Sequence, residues 1–322
     1  MAKRLSIDDR IDTLAKLRRG PSTPGAVEAV KAGLADKSNL FAGKAAVVCR
    51  ELSMTTLAAD LVAAFNRFIE PSSQDKGCAA LMPIVQAMQT FGVSEPDVYL
   101  RGIHHVQMEA AYGGAVDAAI GVRCESAFGL VRIGYRDVIW ELAGLLADPQ
   151  KECRLAAVRA IGHSGAEAGL SLLKYKILAG AMDADVAAEC FGSLAQINPA
   201  KVIPFMGRHL DSLDEMIAEA AALALGSTRR PEAFALLKNQ WERRISPSSR
   251  QAFLLAIATL RIEPAVALLV SVIATADTRA AADAVKAMAL YRRDDAIRAR
   301  VAEAVASRKD AALSKVLEAE FQ

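Results

Sequence analysis

The chain has 322 residues, of which 53% are hydrophobic and only 5% aromatic, and its 39 basic and 37 acidic residues leave a formal net charge of +2. This balance excludes the strongly basic composition of chains that bind nucleic acid through bulk charge. The longest apolar run, residues 265–276, has 12 residues and is too short to span a bilayer. No apolar stretch of signal-peptide type follows Met1, so we expect a cytoplasmic protein that does not bind a membrane.

The N-terminal third is predicted to be helical but irregular. Its helices are predicted at residues 6–19, 24–35, 40–52, 55–70, 75–91, 96–109 and 116–134. Proline and glycine separate them, at Pro21, Pro24, Pro71, Gly92 with Pro96, and Gly113-Gly114. Ser6 lies three residues before Asp9, which is typical of a capped helix start. We expect residues 1–93 to include an end cap, and residues 94–134 to form an irregular repeat with a polar loop.

A repeat dominates the remainder of the chain. Six segments share an apolar anchor, and the spacing between successive anchors is 31 to 33 residues: Leu130, Ile161, Leu194, Leu225, Ile257 and Met288. Each unit closes one helix on the anchor, crosses a short loop and opens another helix. Neither helix of a pair buries its apolar stripe alone, so neighbouring pairs must stack. The sequence predicts an all-α solenoid that forms one elongated body over residues 1–322 and is regular over 135–322.

Residues in one unit resemble a known repeat. Leu145–Pro149 supplies a Leu-Leu pair followed by an Asp-Pro turn, and residues 154–162 read RLAAVRAIG. This stretch resembles the HEAT repeat, in particular the short bacterial lyase-like variety, although Cys153-Arg154 replaces the usual Val-Arg pair. The resemblance implies the solenoid fold. Many HEAT arrays bind proteins, some bind nucleic acid and a few relatives are enzymes, so the fold alone does not define an activity.

The repeat pattern is most disturbed between Tyr99 and Glu125, where we place a polar binding site. Its candidate residues are Arg101, His104, His105, Gln107, Glu109, Tyr112, Asp117 and Arg123. The His-x-Gln-x-Glu run before an aromatic-Gly-Gly turn resembles a motif of HEAT proteins of unassigned function in environmental bacteria.

On a helix, Tyr99, Ile103, Val106 and Ala110 would share one buried face. His105 would lie four residues before Glu109, a spacing that permits an ion pair. Adjacent histidines point about 100° apart on a helix, so we predict no metal site. The alternative interpretation is purely structural: the glycines end one helix and Asp117 caps the next.

A second candidate is a basic ridge formed by the loops that follow the anchors. It comprises Arg229, Arg230, Arg261, Arg292 and Arg293. Equivalent positions of stacked helices lie about 10 Å apart, so these side chains would form a ladder suited to phosphates or an acidic partner. The competing interpretation is that each arginine stabilises the C-terminus of its own helix, where a cation is favoured.

The cysteines and the catalytic motifs give no further candidate. Five single cysteines without a Cys-x-x-Cys pair indicate buried thiols, and they indicate neither a disulfide framework nor a zinc site: Cys49, Cys78, Cys124, Cys153 and Cys190. No nucleophile elbow, phosphate-binding loop, dinucleotide fingerprint or calcium loop occurs. Gly162–Gly165 is interpreted as an ordinary loop between helices. The sequence therefore favours a protein that is not an enzyme and has no cofactor.

Two enzymatic precedents follow from the resemblance. HEAT-like alkylpurine DNA glycosylases hold damaged DNA in a basic groove with tryptophans, and bilin lyases work with a partner on phycobiliproteins. Trp140 lies in an apolar stripe and is predicted to be core, whereas Trp241 precedes a basic helix end and is predicted to be partly exposed. Low aromatic content and balanced charge argue against the glycosylase.

The sequence as a whole favours a non-catalytic scaffold that binds another protein through a concave surface. The second helices of the repeats are expected to line that surface, at residues 152–161, 185–194, 215–225, 249–258 and 279–289. One alternative is a nucleic-acid-binding or HEAT-like DNA repair protein. The other is a lyase-like protein that assists modification or maturation of a partner.

Overall fold

The computed structural model describes residues 14, 16–17, 24–71, 75–180, 183–243 and 247–321. The chain divides into two compact units, Met1–Ser164 and Gly165–Gln322. The predicted helix at 6–19, with its Ser6 cap and its role as an end cap, falls outside the described residues except for Leu14, Lys16 and Leu17. One continuous array over 1–322 stays a prediction.

The first unit consists of helices and one small β-hairpin. Its elements are α1 (Pro24–Leu34), α2 (Asn39–Glu51), α3 (Ala58–Phe68), α4 (Leu81–Phe91), α5 (Pro96–Ile103), β1 (Met108–Ala111), β2 (Gly114–Asp117), α6 (Ile120–Arg132), α7 (Val138–Leu145) and α8 (Lys151–Ser164). Short 3-10 turns at Thr55–Leu57 and Lys76–Cys78 precede α3 and α4. Helices α2, α4, α6 and α8 pack in succession on one another.

The second unit contains helices throughout its described ranges. They are α9 (Ala168–Leu178), α10 (Ala184–Ile197), α11 (Pro199–Gly207), α12 (Glu215–Ser227), α13 (Pro231–Arg243), α14 (Pro247–Thr259), α15 (Glu263–Thr275), α16 (Thr278–Met288), α17 (Asp295–Arg308) and α18 (Ala311–Glu320). Helices α10, α12, α14, α16 and α18 pack in succession. The helices predicted at 185–194, 215–225, 249–258 and 279–289 lie within this row.

The core of each unit contains the repeat anchors and many small side chains, together with large aromatic ones such as Phe65 and Tyr99 in the first unit and Phe191 and Phe253 in the second. The anchors are fully buried, with at most 1% of Leu130, Ile161, Leu194, Leu225, Ile257 and Met288 exposed. Gly226 allows close packing in the second unit, because a Cβ atom there would overlap the carbonyl oxygen of Ala256 on α14. Helices can approach so closely only where a small residue faces the neighbouring backbone. These features confirm the predicted all-α solenoid of helix pairs.

Aspartate side chains define several helix starts in the second unit. The carboxylates of Asp214, Asp277, Asp294 and Asp310 accept hydrogen bonds from backbone N–H groups in the first turns of α12, α16, α17 and α18. Such caps satisfy N–H groups that have no partner within the helix. The short loops before these helices therefore contain the aspartate that defines where each helix begins.

The longest apolar run of the chain belongs to α15. Five of its side chains are buried in the second unit, Ala265, Val266, Leu269, Val272 and Ile273. Within the described ranges, no helix combines the length and the hydropathy needed to cross a membrane.

Candidate functional site

The disturbed segment is a β-hairpin between two helices. Strands β1 and β2 pair antiparallel, with Met108 opposite Asp117 and Ala111 opposite Gly114. Tyr112 and Gly113 form the turn, and Gly113 has a φ of 95°, which glycine adopts without strain. The helix predicted at 96–109 ends at Ile103, and the helix predicted at 116–134 begins at Ile120. The prediction that Gly113-Gly114 end a helix is therefore wrong, because both glycines belong to the hairpin.

The early end of α5 changes the environment of the residues that follow it. Tyr99 and Ile103 are buried as predicted, but Val106 is 60% exposed and Ala110 is also exposed. Their predicted burial is wrong because the helical spacing no longer holds beyond Ile103. The helical spacing that would permit His105 to pair with Glu109 is absent, because the helix ends before both residues.

The two histidines have separate partners. His104 Nε2 lies 2.8 Å from Glu141 Oε2, on α7. His105 Nε2 lies 3.3 Å from the side-chain oxygen of Gln107. Within the described ranges, no three His, Cys, Asp or Glu side chains are placed to hold a metal ion.

A buried ion-pair network holds the base of the hairpin. Arg123 Nη1 lies 2.7 Å from Asp117 Oδ2, and Arg123 Nε lies 3.0 Å from Asp148 Oδ2. Arg123 Nη1 also donates to the His105 carbonyl oxygen at 2.9 Å. The side chains of Arg123 and Asp117 are 3% exposed and that of Asp148 is 11% exposed. One guanidinium on α6 thus joins both ends of the hairpin to the loop after α7.

Asp117 also binds the backbone on each side of the hairpin. Its Oδ1 accepts hydrogen bonds from the N–H groups of Gln107 at 3.2 Å and Ala119 at 2.9 Å. Helix α6 has Ala119 at its N-cap position, so Asp117 precedes the cap and the predicted capping role is wrong. Burial disfavours the Asp117 carboxylate, but the hydrogen bonds from Ala119, Arg123 and Gln107 and the charge of Arg123 outweigh it and lower its pKa below the ordinary value of 3.8.

The lowered pKa of Asp117 predicts an acid-sensitive first unit. A carboxylate with a lower pKa in the folded than in the unfolded state stabilises the fold above the unfolded value, and this stabilisation is lost as the pH falls through the folded pKa. We expect the free energy of unfolding to decrease as the pH falls below about 4, and Asp117→Asn to reduce this dependence. Urea unfolding between pH 3 and 7 measures it, with the exposed Asp295→Asn as control. Equal slopes for wild type and Asp117→Asn would contradict the assignment.

A second polar layer ties the hairpin to the loop before α4. The Gln107 amide donates to the Asp75 carbonyl oxygen at 2.7 Å and to Glu109 Oε1 at 2.6 Å. The Gly77 N–H donates to the same Glu109 oxygen at 2.6 Å, and this bond is the main reason that the Glu109 pKa is lowered. The buried Asp75 carboxylate in turn accepts from the N–H groups of Ala80 and Leu81 at the start of α4.

A cavity of about 700 Å³ opens beside this layer. It is lined by Ile69, Glu70, Pro71, Asp75, Lys76, His105, Val106, Gln107, Glu109 and Ala110. Sequence reasoning identified His105, Gln107 and Glu109. It missed the lining residues that come earlier in the chain, because these are adjacent to the hairpin only in the fold: Ile69, Glu70, Pro71, Asp75 and Lys76.

The other predicted residues lie elsewhere around the hairpin. Arg101 pairs with Glu70 at 2.7 Å, at the rim of the larger cavity. His104 and Arg123 line a smaller cavity of about 230 Å³ with Glu141 and Asp148. Tyr112 lies at the hairpin tip and is fully exposed. The predicted residues therefore all belong to the hairpin or its surroundings. His105, Gln107 and Glu109 line the larger cavity, Asp117 and Arg123 form the buried base, and Tyr112 lies at the exposed tip.

The arginines of the predicted basic ridge are all exposed in the second unit: Arg229, Arg230, Arg261, Arg292 and Arg293. Arg229 and Arg261 both have a φ of 53°, and each lies two residues after the end of its helix, α12 or α14. Arg261 places its guanidinium 5.9 Å from the centre of the Tyr291 ring, and Arg230 Nε lies 3.8 Å from Glu232 Oε2. Local roles at helix ends and recognition of an anion both fit these positions.

The two tryptophans exchange their predicted environments. Trp140 is 80% exposed because Val138, Leu142 and Leu145 form the buried face of α7 and Trp140 points away from it. Trp241 is only 8% exposed, and Arg250 lies 5.6 Å from its ring centre. Both predictions were wrong, since an apolar stripe at approximate spacing does not define which side chain turns inward.

Comparison with known proteins agrees with the helix pairs of the second unit. Residues 175–258 match the family described as HEAT repeats. The helix pairs within residues 175–258 are therefore similar to HEAT repeats. No curated protein sequence matches the chain.

Solved structures that match the chain at low sequence identity include the following three. The complex of CpcE and CpcF of phycocyanin lyase from Nostoc sp. PCC7120 is 15% identical, with 83% of this chain and 94% of that chain covered and a TM-score of 0.42. An engineered protein is 16% identical, with 98% and 93% covered and a TM-score of 0.40. Human deoxyhypusine hydroxylase in complex with glycerol is 17% identical, with 80% and 91% covered and a TM-score of 0.33.

Proposed function

We propose that this HEAT-repeat protein is a non-catalytic scaffold that binds another protein, and that the hairpin and the cavity beside it contribute its binding surface. The observation that carries the proposal is an exposed apolar hairpin on a buried, ion-paired base. A protruding element with a fixed base is suited to binding because less conformational freedom is lost when a partner docks.

The exposed apolar side chains of the hairpin, and of Val106 just before it, include residue types that are enriched at protein interfaces. Val106 is 60% exposed, Met108 59%, Val116 54% and Tyr112 fully exposed. Aromatic residues and methionine are over-represented in interface cores. Because Val116 pairs with Glu109 and Met108 pairs with Asp117, Met108 and Val116 lie on opposite faces of the hairpin. A partner that encloses the hairpin on both faces would remove all four apolar side chains from water.

The polar groups of the site support binding over proton transfer. Glu109 has a lowered pKa, with the Gly77 N–H and the Gln107 amide bound to one of its oxygens. A general acid or base works best with a pKa near the working pH, and these bonds move Glu109 away from it. Glu109 and Gln107 instead position the hairpin against the loop before α4.

The row α10, α12, α14 and α16 is the second candidate surface, as expected from the sequence. Leu223 and Leu255 occupy the same position of successive repeats, two residues before the anchors, and are 39% and 38% exposed. Glu219, Arg250 and Lys286 lie on the same helices and supply both signs of charge. Mixed charge around apolar side chains fits a protein better than a phosphate track.

Affinity capture from a lysate of the encoding organism tests the proposal. The bait proteins are wild type, Tyr112→Ser combined with Val116→Ser, and a control with Tyr175→Ser and Leu178→Ser, which alters two exposed side chains of α9. We expect a partner retained by wild type and control and reduced at least tenfold with the hairpin variant. Circular dichroism verifies that all three are equally folded.

The outcomes separate the surfaces and the alternatives. A partner that is retained by the hairpin variant and lost from Leu223→Ser with Leu255→Ser would place binding on the helix row. Tight duplex DNA binding at 50 mM salt that is lost at 200 mM, and lost with Arg229, Arg230, Arg292 and Arg293 replaced, would favour the nucleic-acid alternative. A captured partner that leaves the complex covalently modified would favour the lyase-like alternative.

A further inference from the structure

We propose that Cys124 and Cys153 form an oxidation site, at which a peroxide converts two thiols into one disulfide bond. The two sulfur atoms lie 4.0 Å apart, although the residues are separated by 29 positions in the chain. Cys124 is on α6 and Cys153 is on α8, two helices that pack directly on each other. A disulfide requires the sulfurs at about 2 Å, so a shift of about 2 Å in side-chain position brings them to bonding distance.

The two cysteines differ in access. Cys153 is fully buried, whereas Cys124 is partly exposed. A soluble oxidant therefore reaches the pair through Cys124, and Cys153 is placed to react second. This arrangement of an accessible thiol with a nearby resolving thiol is typical of cysteines that are oxidised reversibly.

The surroundings of the pair favour one thiolate. The thiol of Cys124 donates a hydrogen bond to Cys153 Sγ, and this bond, together with the nearby Arg123 cation, lowers the pKa of Cys153 despite its burial. The same bond and burial raise the pKa of Cys124. Peroxide reaches Cys124 and not Cys153, so the reacting species is the minor form in which the shared proton has moved along this hydrogen bond to Cys153 and Cys124 carries the negative charge.

The oxidation is balanced with hydrogen peroxide as the oxidant. The Cys124 thiolate attacks one peroxide oxygen, the O–O bond breaks, and the departing oxygen leaves as water after taking a proton, which gives a sulfenic acid. Cys153 Sγ then attacks the sulfur of that sulfenic acid. The S–S bond forms, the S–O bond breaks, and the hydroxyl leaves as a second water with the Cys153 proton. Each sulfur gives up one electron, and peroxide takes up two.

The other three cysteines provide internal controls. Cys49, Cys78 and Cys190 are at most 1% exposed, and burial is the main reason that their pKa values are raised to about 12. Buried thiols in apolar surroundings react slowly with oxidants. The site is therefore specific to one pair. It does not depend on the proposed binding partner, since it concerns two packed helices of the first unit.

Peptide mapping of the full chain tests the inference. The reduced protein is treated with hydrogen peroxide, free thiols are blocked, and trypsin is added without reductant. We expect residues 124–132 to be linked to residues 152–154, with the loss of two hydrogen atoms, and expect dithiothreitol to reverse the link. Cys124→Ser and Cys153→Ser should each abolish the linked species, and Cys78→Ser should leave its yield unchanged.

Two outcomes would contradict the proposed oxidation site. One is that Cys124 and Cys153 stay reduced at peroxide concentrations that oxidise a short cysteine peptide completely. The other is that links involving Cys49, Cys78 or Cys190 form at a comparable rate, which would show general unfolding under oxidation. Circular dichroism before and after treatment distinguishes local oxidation from loss of fold.

Discussion

Arg123→Leu is expected to lower the free energy of unfolding of the first unit by about 3–5 kcal/mol. The substitution leaves the carboxylates of Asp117 and Asp148 close together, 3% and 11% exposed, without their cation. It also removes the donor to the His105 carbonyl oxygen. An uncompensated buried charge costs more than the loss of one contact, because the desolvation of that charge is no longer offset. Urea unfolding followed by circular dichroism measures the difference.

A matched arginine distinguishes burial from charge alone. Arg101→Leu removes an ion pair with Glu70, whose side chains are 35% and 57% exposed, and should cost about 0–1 kcal/mol. Combining Arg123→Leu with Asp117→Asn and Asp148→Asn should recover much of the loss, since the buried charges are then gone. A similar loss of stability for Arg101→Leu and Arg123→Leu would show that burial of the network at the hairpin base does not increase its contribution to stability.

The repeats are predictable because their pattern is local and long. Each anchor returns within one or two residues of a fixed spacing, and all six are buried. Helical periodicity and short loops determine such pairs without information from distant residues. The same reasoning places the start of α1 at Pro24 and the end of α4 before Gly92.

The hairpin was missed because its sequence carries no strand signal. A strand with one buried face alternates apolar and polar residues, but β1 and β2 are exposed along most of their length. The residues 99, 103, 106 and 110 happened to satisfy a helical spacing. Gly113-Gly114 was compatible with a helix end as well as with a tight turn, so local sequence did not discriminate between them.

The buried network illustrates a second limit. Arg123 and Asp117 were both identified as polar candidates, but Asp148 was interpreted only as part of the Asp-Pro turn of the repeat. Arg123 and Asp148 are 25 residues apart in the sequence, and their contact depends on how α6 packs against the loop after α7. Local sequence patterns contain no information on that packing. The proximity of Cys124 to Cys153 was missed for the same reason.

Tyr99→Ala is expected to destabilise the first unit by about 3–5 kcal/mol. Tyr99 on α5 is fully buried, and its ring lies against Gly129 of α6, where a Cβ atom would overlap it. Removal of the ring leaves a cavity between the two helices that flank the hairpin. Because α5 and α6 position the hairpin base, we expect the loss in stability to be accompanied by faster hydrogen exchange at Gln107 and Ala119.

Tyr99→Phe is the matched control, and it should be neutral or slightly stabilising. The Tyr99 hydroxyl is buried and has no hydrogen-bond partner among the described residues, so its removal relieves the cost of burying an unsatisfied polar group. The phenylalanine ring fills the same space against Gly129. Thermal and urea unfolding of both variants measure the contrast. A loss above about 1 kcal/mol for Tyr99→Phe would mean that the hydroxyl is hydrogen-bonded in solution and that the ring alone does not hold α5 on α6.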